Sequence, residues 1–339
     1  MDGSAEEITF DEKGVCNFCH QAQKQLAEIK ADQHLLPLII EQVKKDGEGK
    51  EYDCIIGLSG GADSSTVLHH AVKLGLRPLC FSIDNGWNNP LADENIHQMV
   101  ETLKVPFYRY TIDLEKFRDL QSAFIKAGVP NIEIPTDHVL GATLSEMADK
   151  YGIKWIFSGG NVATESIMPF SWGYHARDLR HIKAIYKWAT GKRLTGLPVM
   201  SLFKFNYYKW IKKIKTFYLL DFLDYNRAES IKMLQKEYGY QDYHEKHCES
   251  YFTWWFQNFY LFEKFGFDKR KAHYSSLINS GQMTRKEAVD LVADKPVFPI
   301  LGLEKRAMSY PKRSHFDFPT NMKLYELIGS IVRTIRKWK

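Results

Sequence analysis

The chain has 339 residues, of which 44% are hydrophobic and 26% are charged. This is the composition of an ordinary globular protein, and it excludes a disordered or fibrous chain. The length allows one large domain or two ordinary ones. No stretch approaches the roughly 18 apolar residues of a membrane span, and the acidic residues 1–7 do not resemble a signal peptide. Five cysteines do not suggest a disulfide framework, so we expect a cytoplasmic protein.

Charge is distributed unevenly along the chain. The net charge of +5 combines −10 over residues 1–170 with +15 over residues 171–339. Much of the excess lies in two clusters: Lys204, Lys209, Lys212, Lys213 and Lys215, and, near the terminus, Arg333, Arg336, Lys337 and Lys339. Such a basic half is typical of a region that receives an anion, whether a phosphorylated substrate, a nucleic acid or an acidic lipid. A solvated helix face is the alternative for each cluster.

Aromatic residues stand between the lysines of the first cluster, namely Tyr207, Tyr208 and Trp210. A basic segment with interleaved aromatic residues is typical of peripheral contact with a membrane surface or a partner. At helical spacing such aromatic residues are also common in a protein core, and both interpretations stay open.

The predicted elements begin after a short polar lead over residues 1–19. Apolar residues at helical spacing predict a helix over residues 21–45, and residues 46–50 break the pattern. From residue 52 onward, short apolar runs alternate with amphipathic stretches. The predicted strands are 54–58, 78–83, 107–112 and 153–157, and the predicted helices among them are 63–74, 91–103, 114–127 and 139–151.

Strands and helices that alternate at this pitch predict an α/β fold, in which flanking helices cover a parallel sheet. Beyond about residue 170 the alternation stops, and the remaining chain is predicted to be mostly helical, basic and aromatic. We therefore expect a lead and helix over residues 1–50 and a sheet domain over residues 51–185. Residues 186–339 are expected to form a helical, basic region for a substrate or partner.

A glycine- and serine-rich turn joins the first predicted strand to the next helix. It consists of Leu58, Ser59, Gly60, Gly61, Ala62, Asp63, Ser64 and Ser65. Backbone N–H groups and the helix dipole make an anion site at such a turn, and two glycines let the backbone approach phosphate oxygens. Ser59 and Ser64 add hydroxyl donors, and Asp63 can cap the helix or hold a magnesium ion. The turn is neither a Walker A loop nor Gly-x-Gly-x-x-Gly, and an ordinary turn is the alternative to a phosphate site.

Residues 59–64 match the motif S-G-G-x-D-S, and the turn thereby resembles that of the PP-loop ATP pyrophosphatases. The resemblance implies that residues 51–185 bind ATP with Mg²⁺, cleave it between the α and β phosphates and adenylate a carbonyl oxygen of the substrate. It also implies that two further strand ends border the nucleotide. These are Asp84, Asn85 and Gly86 on the adenosine side, and Ser158, Gly159, Gly160 and Asn161 on the other side.

Residues of the second half resemble one particular family of PP-loop enzymes. The runs from Tyr243 to Ser250, from Lys264 to Arg270 and from His273 to Ala288 resemble the bacterial N-acetyl sugar amidotransferases of surface-polysaccharide (O-antigen) biosynthesis. The lead from Asp11 to Cys19 and the residues Pro135 to His138 look like the same family, so the similarity covers nearly the whole chain. Members of that family convert the acetamido group of a nucleotide-linked sugar into an acetamidino group.

The chemistry that the resemblance implies places defined demands on the protein. The oxygen of an amide is a poor leaving group, and adenylation converts the amide into an imidate ester. Ammonia then adds to the imidate carbon, AMP leaves, and the product is an amidine. The protein supplies positioning and cations against phosphate charge. The candidates for catalysis are Asp63, Asp137, Lys246 and His247, and the candidates for substrate binding are Glu165, Lys264, Lys269, Arg270 and His273. Asp137 and Glu165 are also candidates for orienting ammonia or magnesium. Lysine and arginine suit phosphates and histidine suits proton transfer, although each residue alone is compatible with an ordinary surface charge.

Cys16 and Cys19 form a C-x-x-C pair, which is half of a four-ligand structural zinc site. Members of the resembling family often carry a second such pair further upstream. The spacing leaves open whether zinc binds, and whether His20, His247 or Cys248 completes a site.

The cysteines indicate whether this chain could produce ammonia from glutamine itself. A glutaminase needs an activated nucleophile, typically a cysteine of low pKa beside a histidine. Cys54 and Cys80 lie in predicted strands, and Cys248 beside His247 is a single weak candidate. The resemblance implies a separate glutaminase subunit as partner and a nucleotide sugar as substrate, and we expect no nucleic acid.

Two other classes of protein stay open. A PP-loop enzyme of the tRNA thiolase or lysidine synthase type would use the basic half to bind RNA, and it would usually carry a catalytic cysteine pair. A non-catalytic nucleotide-binding subunit would be free to lose Asp63, which this chain retains.

Overall fold

The computed structural model describes residues 1–243 and 246–321. Within these residues, five parallel strands form one sheet, and its central strands are buried on both faces. The strands are β1 Cys54–Gly57, β2 Pro78–Asp84, β3 Phe107–Thr111, β4 Trp155–Phe157 and β5 Lys215–Phe217. The predicted α/β fold with a parallel sheet is thereby confirmed.

Helices make up most of the remaining described chain. The α-helices are α1 Asn17–Asp32, α2 Leu36–Asp46, α3 Ala62–Lys73, α4 Pro90–Leu103, α5 Leu114–Ala127, α6 Ile134–Lys150, α7 Val162–Glu165, α8 Leu179–Thr190, α9 Leu202–Asn206, α10 Arg227–Tyr238, α11 Tyr251–Trp255, α12 Lys269–Asn279, α13 Arg285–Leu291 and α14 Glu304–Ser309. The 3-10 turns are Gln33–Leu35, Phe170–Trp172, Leu219–Phe222 and His315–Asp317, and the π-helical segments are Tyr207–Ile211 and Phe256–Phe265. Asn89, Asp113 and Asn226 begin α4, α5 and α10 because their side chains accept N–H groups of the first turn.

The strand order β3-β2-β1-β4-β5 determines where a ligand can bind. The chain runs outward from β1 through β2 to β3, and then returns to the other side of β1 to form β4 and β5. The strand order therefore reverses between β1 and β4, and a crevice opens there at the carboxyl ends of the strands. The glycine-rich turn follows β1 and lies at this point.

Two details differ from the sequence prediction. Strand β5 was not predicted, because three residues inside a basic stretch carry no alternating pattern, yet Lys215 pairs with Trp155 and β5 extends the sheet. The single predicted helix over residues 21–45 is two helices, α1 and α2. A 3-10 turn at Gln33–Leu35 separates them, and Pro37 stands in the first turn of α2.

One apolar cluster joins the sheet region to the helical region. Phe117 and Phe124 of α5 and Ile182 of α8 pack in it together with Trp255 and Tyr260 of the second half. All five side chains are fully buried. The helices after residue 186 therefore share a core with the first half.

Among the described residues, no helix combines the length and the apolar composition that a membrane crossing requires. The basic residues Arg333, Arg336, Lys337 and Lys339 lie outside the described residues. So do His244 and Glu245, which belong to the run that resembles the amidotransferases.

Candidate active site

The turn between β1 and α3 has the geometry of an anion site. Gly60 has a φ of +80°, and a Cβ at this position would lie 2.4 Å from the carbonyl oxygen of Ala92, so only glycine fits. Gly61 is the N-cap residue of α3, and no side chain caps the helix there. The first N–H groups of α3 therefore have no partner within the helix and can bind phosphate oxygens.

The end of β4 closes against this turn. A Cβ at Gly159 would lie 2.9 Å from the backbone nitrogen of Ser64, so a larger residue would collide with the turn. Asn161 is buried, and its side chain caps α7 by accepting the N–H group of Thr164. The ends of β1 and β4 are thus adjacent, whereas a contact of Gly159 or Asn161 with ATP stays a prediction.

The loop after β2 lies on the other side of the turn from β4, because β2 and β4 flank β1 in the sheet. Asp84 and Asn85 accept N–H groups from within their own loop, so their side chains help to hold its shape. Asn88 forms a bridge with Ser250, which ties the loop to the second half. Contact of residues 84–86 with adenosine stays a prediction.

Asp63, in the first turn of α3, is the centre of an ion-pair network. Its Oδ2 lies 3.1 Å from Nζ of Lys246, and the same Nζ lies 2.7 Å from Oε1 of Glu165. The Lys246 ammonium also donates to the hydroxyl of Thr164 at 2.7 Å. The hydroxyl of Tyr225 donates to Oδ1 of Asp63. Carboxylates from α3 and α7 thus share one lysine of the second half.

The network keeps Asp63 and Lys246 charged at neutral pH. Burial raises the pKa of the Asp63 carboxyl, but Lys246, Tyr225 and Arg227 outweigh it and hold the pKa below its ordinary value. Burial lowers the pKa of Lys246, but Asp63 and Glu165 hold it above its ordinary value. A carboxylate oxygen is a ligand that Mg²⁺ prefers. Asp63 and the turn therefore fit Mg-ATP phosphates, with Lys246 as a neighbouring cation.

A recess of about 40 Å³ opens between the turn and the second half. Its lining residues are Ser59, Gly61, Ala62, Asp63, Ser64, Arg227, Tyr240, Tyr243, Lys246, His247 and Glu249. This volume has room for only a few water molecules. ATP phosphates could therefore enter only if a side chain moved, and Lys246, which pairs with Asp63, is one that lines the recess. A wider depression of about 520 Å³ lies beside Asp53 and Arg77, at the amino ends of the strands, and none of the predicted site residues line it.

His247 connects the recess with a second group of charges. Its φ of +68° lies in the left-handed region, which is uncommon for a residue other than glycine. Its Nδ1 lies 3.9 Å from Oε1 of Glu249, and its Nε2 lies 4.0 Å from Oε1 of Glu165. Its ring centroid lies 5.2 Å from that of His273. A histidine between two carboxylates is placed to move protons.

Asp137, Lys269 and His273 form the second group, beside His247 and Glu165. Partial removal from water raises the pKa of Asp137 to about 6, against the opposing charges of His247 and Lys269, and part of its side chain remains exposed to solvent. Burial lowers the pKa of Lys269 to about 8. Burial also holds the pKa of His273 well below its ordinary value. The group therefore combines a neutral histidine with a carboxyl and an amine that titrate close to neutral pH.

Glu133 lies one helical turn before Asp137 and was not predicted from the sequence. It is buried, and neither carboxylate oxygen makes a hydrogen bond of good geometry with the described residues. The hydroxyls of Thr136 and Thr253 lie near enough to favour its charged form. Burial, aided by the charge of Asp137, nevertheless raises the pKa of Glu133 to about 7. A buried carboxyl without good partners is uncommon and is often found where protons move.

Two predicted substrate-binding residues lie apart from the recess. The buried ammonium of Lys264 donates to the carbonyl groups of Ala307 and Tyr310, both at 2.7 Å. The guanidinium of Arg270 pairs with Asp268 at 2.8 Å and donates to two backbone carbonyl groups. These contacts give both cations a structural role, and substrate binding by either one stays a prediction.

The cysteine pair lies at the start of α1. The Sγ atoms of Cys16 and Cys19 are 3.3 Å apart. Over residues 1–243 and 246–321, no group of three or more His, Cys, Asp or Glu side chains could hold a metal ion. His20 pairs with Asp11, and Cys248 is buried beside the loop after β2. Two thiols are half of the ligands that structural zinc requires, so this donor set does not fit zinc.

Several residues that line the recess or contact Asp63 were not singled out from the sequence. They are Tyr225, Arg227, Tyr240, Tyr243 and Glu249. Tyr243 donates its hydroxyl hydrogen to the carbonyl oxygen of Gly60 at 3.2 Å. Tyr243 and Glu249 belong to the run that carries the family resemblance, so this run could have identified them. The other three lie in segments without a motif, and only the packing of α10 and its flanking turns reveals them.

Part of the second half is similar to a known protein family. Residues 249–330 match the model of a family described as "LPS biosynthesis protein WbpG-like, C-terminal domain". The matched segment covers less than half of the chain. It begins at Glu249, which lines the recess, and it includes Lys264, Lys269, Arg270 and His273.

Other similarities are more distant. The chain is 29% identical over 160 residues to the uncharacterized protein MJ1599 of Methanocaldococcus jannaschii, which covers 45% of this chain and about half of that protein (53%). NMN synthetase from Francisella tularensis is 15% identical with a TM-score of 0.30, over 76% of this chain and 94% of that one. The U34-tRNA thiolase NcsA from Methanococcus maripaludis, with its [4Fe-4S] cluster, is 12% identical with a TM-score of 0.38, over 82% and 89%.

Proposed function

We propose that the protein is a PP-loop enzyme that uses ATP to convert the acetamido group of a nucleotide-linked N-acetyl sugar into an acetamidino group. One observation carries the proposal. Asp63 of the phosphate turn pairs with Lys246, and the recess that both line is closed by Glu249, the first residue of the WbpG-like segment. A nucleotide-type turn and a lipopolysaccharide-biosynthesis segment thus build a single site, which we place in the cytoplasm, where nucleotide sugars and ATP are available.

The first step that we propose is adenylation. The amide oxygen attacks the α-phosphorus of ATP, and the bond to the bridging oxygen breaks as pyrophosphate leaves. The N–H groups at the start of α3 and the Ser59 and Ser64 hydroxyls bind phosphate oxygens, while Lys246 balances developing negative charge. Magnesium, when bound beside Asp63, neutralises further phosphate charge.

The second step is addition of ammonia to the imidate carbon. The nitrogen lone pair forms the new C–N bond, and the C–O bond breaks with its electrons leaving on AMP. The nitrogen that adds is ammonia rather than ammonium, so a base must first hold the proton of an ammonium ion. Asp137 and His247 are the candidates, because Asp137 can exchange a proton close to neutral pH and His247 lies between two carboxylates at the recess.

We propose that ammonia comes from a separate glutaminase subunit. Burial raises the pKa of the Cys80 thiol to about 12 and that of Cys54 well above its ordinary value, so neither is an activated nucleophile. Cys248 is buried beside the loop after β2. Cys54, Cys80 and Cys248 are also unlike the catalytic cysteine pair expected of a tRNA thiolase.

The test supplies purified protein with ATP, magnesium, a nucleotide-linked N-acetyl sugar and ammonium chloride. We expect AMP and pyrophosphate in equal amounts, together with an amidine product by mass spectrometry. Glutamine should replace ammonium only when a glutaminase subunit is added. Pyrophosphate release that depends on tRNA and not on the sugar would instead favour a tRNA-modifying enzyme. An amidine product from glutamine alone, lost in Cys248→Ala, would contradict the separate subunit.

A further inference from the structure

A row of large apolar side chains is exposed on the helical segment that leads into β5. Phe203, Tyr207, Trp210 and Ile211 are 88%, 45%, 59% and 68% exposed. Their spacing places them on one face of the continuous segment formed by α9 and the π-helical turns after it. We call these four residues the apolar stripe. Isolated apolar residues on a surface are ordinary, but four on one helical face are not.

The other face of the segment is anchored in the core. Tyr208 and Ile214 are buried in a cluster with Met147 of α6. The segment is therefore held in place by one face while the stripe faces outward. The exposure of the stripe therefore does not result from a helix that is loosely attached to the protein.

Lysines surround the stripe. Residues 202–215 contain five lysines and no acidic residue. Lys204 pairs with Glu146 and Lys212 with Asp149. The described residues provide no carboxylate at ion-pair distance for the other three, which are Lys209, Lys213 and Lys215. Three uncompensated positive charges thus border an exposed apolar face.

We propose that the apolar stripe and its lysines bind the surface of a membrane that contains anionic lipids. Phenylalanine, tryptophan and isoleucine side chains can enter the boundary between headgroups and acyl chains, while lysine ammonium groups remain at the phosphates. A protein partner fits less well, because lysine is depleted at the centre of protein interfaces. The charge complementarity with anionic headgroups is what favours lipid as the occupant.

The position of the stripe leaves the candidate active site open. The segment runs directly into Lys215, the first residue of β5, which pairs with Trp155 at the start of β4. The stripe therefore lies towards the amino ends of the strands, whereas the recess lies at their carboxyl ends. A protein bound through the stripe would keep the recess accessible to substrates in solution.

The test measures co-sedimentation of the full chain with vesicles. One set contains equal parts of phosphatidylglycerol and phosphatidylcholine, and the other contains phosphatidylcholine alone. We expect binding to the anionic vesicles and a loss of more than about tenfold in Phe203→Ser/Trp210→Ser, because two large apolar side chains no longer enter the lipid. The matched control is Val297→Ser/Ile300→Ser, at residues that are 64% and 86% exposed elsewhere, and it should bind like the parent.

A second variant tests the charges. Lys209→Gln/Lys213→Gln should weaken binding by about 25-fold, since each lysine near an anionic surface contributes about fivefold. Thermal melting and pyrophosphate release should stay unchanged in both double variants, so a loss of binding will not reflect a loss of folding or of the active site. Absence of sedimentation, or equal binding of parent and variants, would overturn the proposal. Concentration-dependent dimerisation that the stripe variant abolishes, without vesicle binding, would assign the surface to a second copy instead.

Discussion

The two groups of ionisable side chains around His247 differ in what sets their protonation: ion pairing in the first and removal from water in the second. In the network of Asp63, Lys246 and Glu165, each charge has an opposite partner within 3.1 Å. In the second group, formed by Asp137, Lys269 and His273, and in Glu133 one helical turn before Asp137, removal from water is the main influence. It shifts the pKa values of Asp137, Lys269 and Glu133 to about 6, 8 and 7.

This difference separates two tasks that the proposed reaction needs. Paired charges keep their ionisation over a wide pH range and can hold phosphates and magnesium in place. Groups that titrate near neutral pH can accept and release protons at little cost. The first network therefore suits adenylation, and the second group suits the addition of ammonia.

The largest expected effect comes from breaking the first network at its centre. Asp63→Ala should lower substrate-dependent pyrophosphate release by about 1,000-fold or more, because a preorganised charge at the phosphates is lost. The fold should persist, as checked by thermal melting. Asp290→Ala, at an exposed residue of α13, is the control and should behave like the parent. Near-normal turnover in folded Asp63→Ala would reject the phosphate-site assignment.

Removing the shared lysine should have a smaller effect. Lys246→Met should reduce turnover by about 100-fold, since Asp63 and magnesium remain. Without the lysine, burial of Asp63 is opposed less, so its pKa should rise and the residual activity should require higher pH. A pH–rate profile of the variant measures this shift. Lys236→Met, on the exposed side of α10, provides the control, and an unshifted profile would contradict the pairing.

The second group, with Glu133 beside it, can be tested through stability. The pKa of Glu133 is about 7 in the folded protein and 4.5 as a reference for the unfolded chain. Between these values the folded state binds more protons, so the free energy of unfolding should fall as pH rises from about 4.5 to 7. It should then level off, with a total loss of up to about 3 kcal/mol.

Glu133→Gln removes this titration. We expect the variant to lose less stability than the parent over the same pH range, measured by urea unfolding at several pH values. Glu101→Gln, at an exposed residue of α4, should leave the pH dependence unchanged. Identical curves for parent and Glu133→Gln would show that Glu133 is not held neutral, and the contrast between the two groups would then weaken.

The smallest expected effect concerns Arg270, which lies outside both groups. Arg270→Ala should lower the free energy of unfolding by about 2 kcal/mol, because Asp268 and two carbonyl groups lose their donor. The KM for the sugar nucleotide should stay close to the parent value. Arg285→Ala, at an exposed residue, serves as the control. A raised KM without loss of stability would restore the substrate contact that the resemblance implies.

Much of the first half could be predicted because its signals are local. Apolar runs such as Cys54–Gly57, followed by a glycine-rich turn and an amphipathic stretch, predict strand, turn and helix within a few residues. The same turn carried the phosphate-site prediction, since both its backbone freedom and its charged residue lie in one short segment. Glu133, Tyr225 and Arg227 could not be predicted in this way, because no local pattern distinguishes them from ordinary helix-end residues.

The sequence by itself determined the α/β class, the glycine-rich turn at residues 58–65 and the basic character of the second half. Only the tertiary structure decided which cationic side chains lie beside that turn. Lys246 reaches Asp63, whereas Lys264 and Arg270, from the same resembling region, bind carbonyl groups of the protein. The physical reason is that a charge acts through its distance and burial, and both are set by long-range packing of the second half against the sheet.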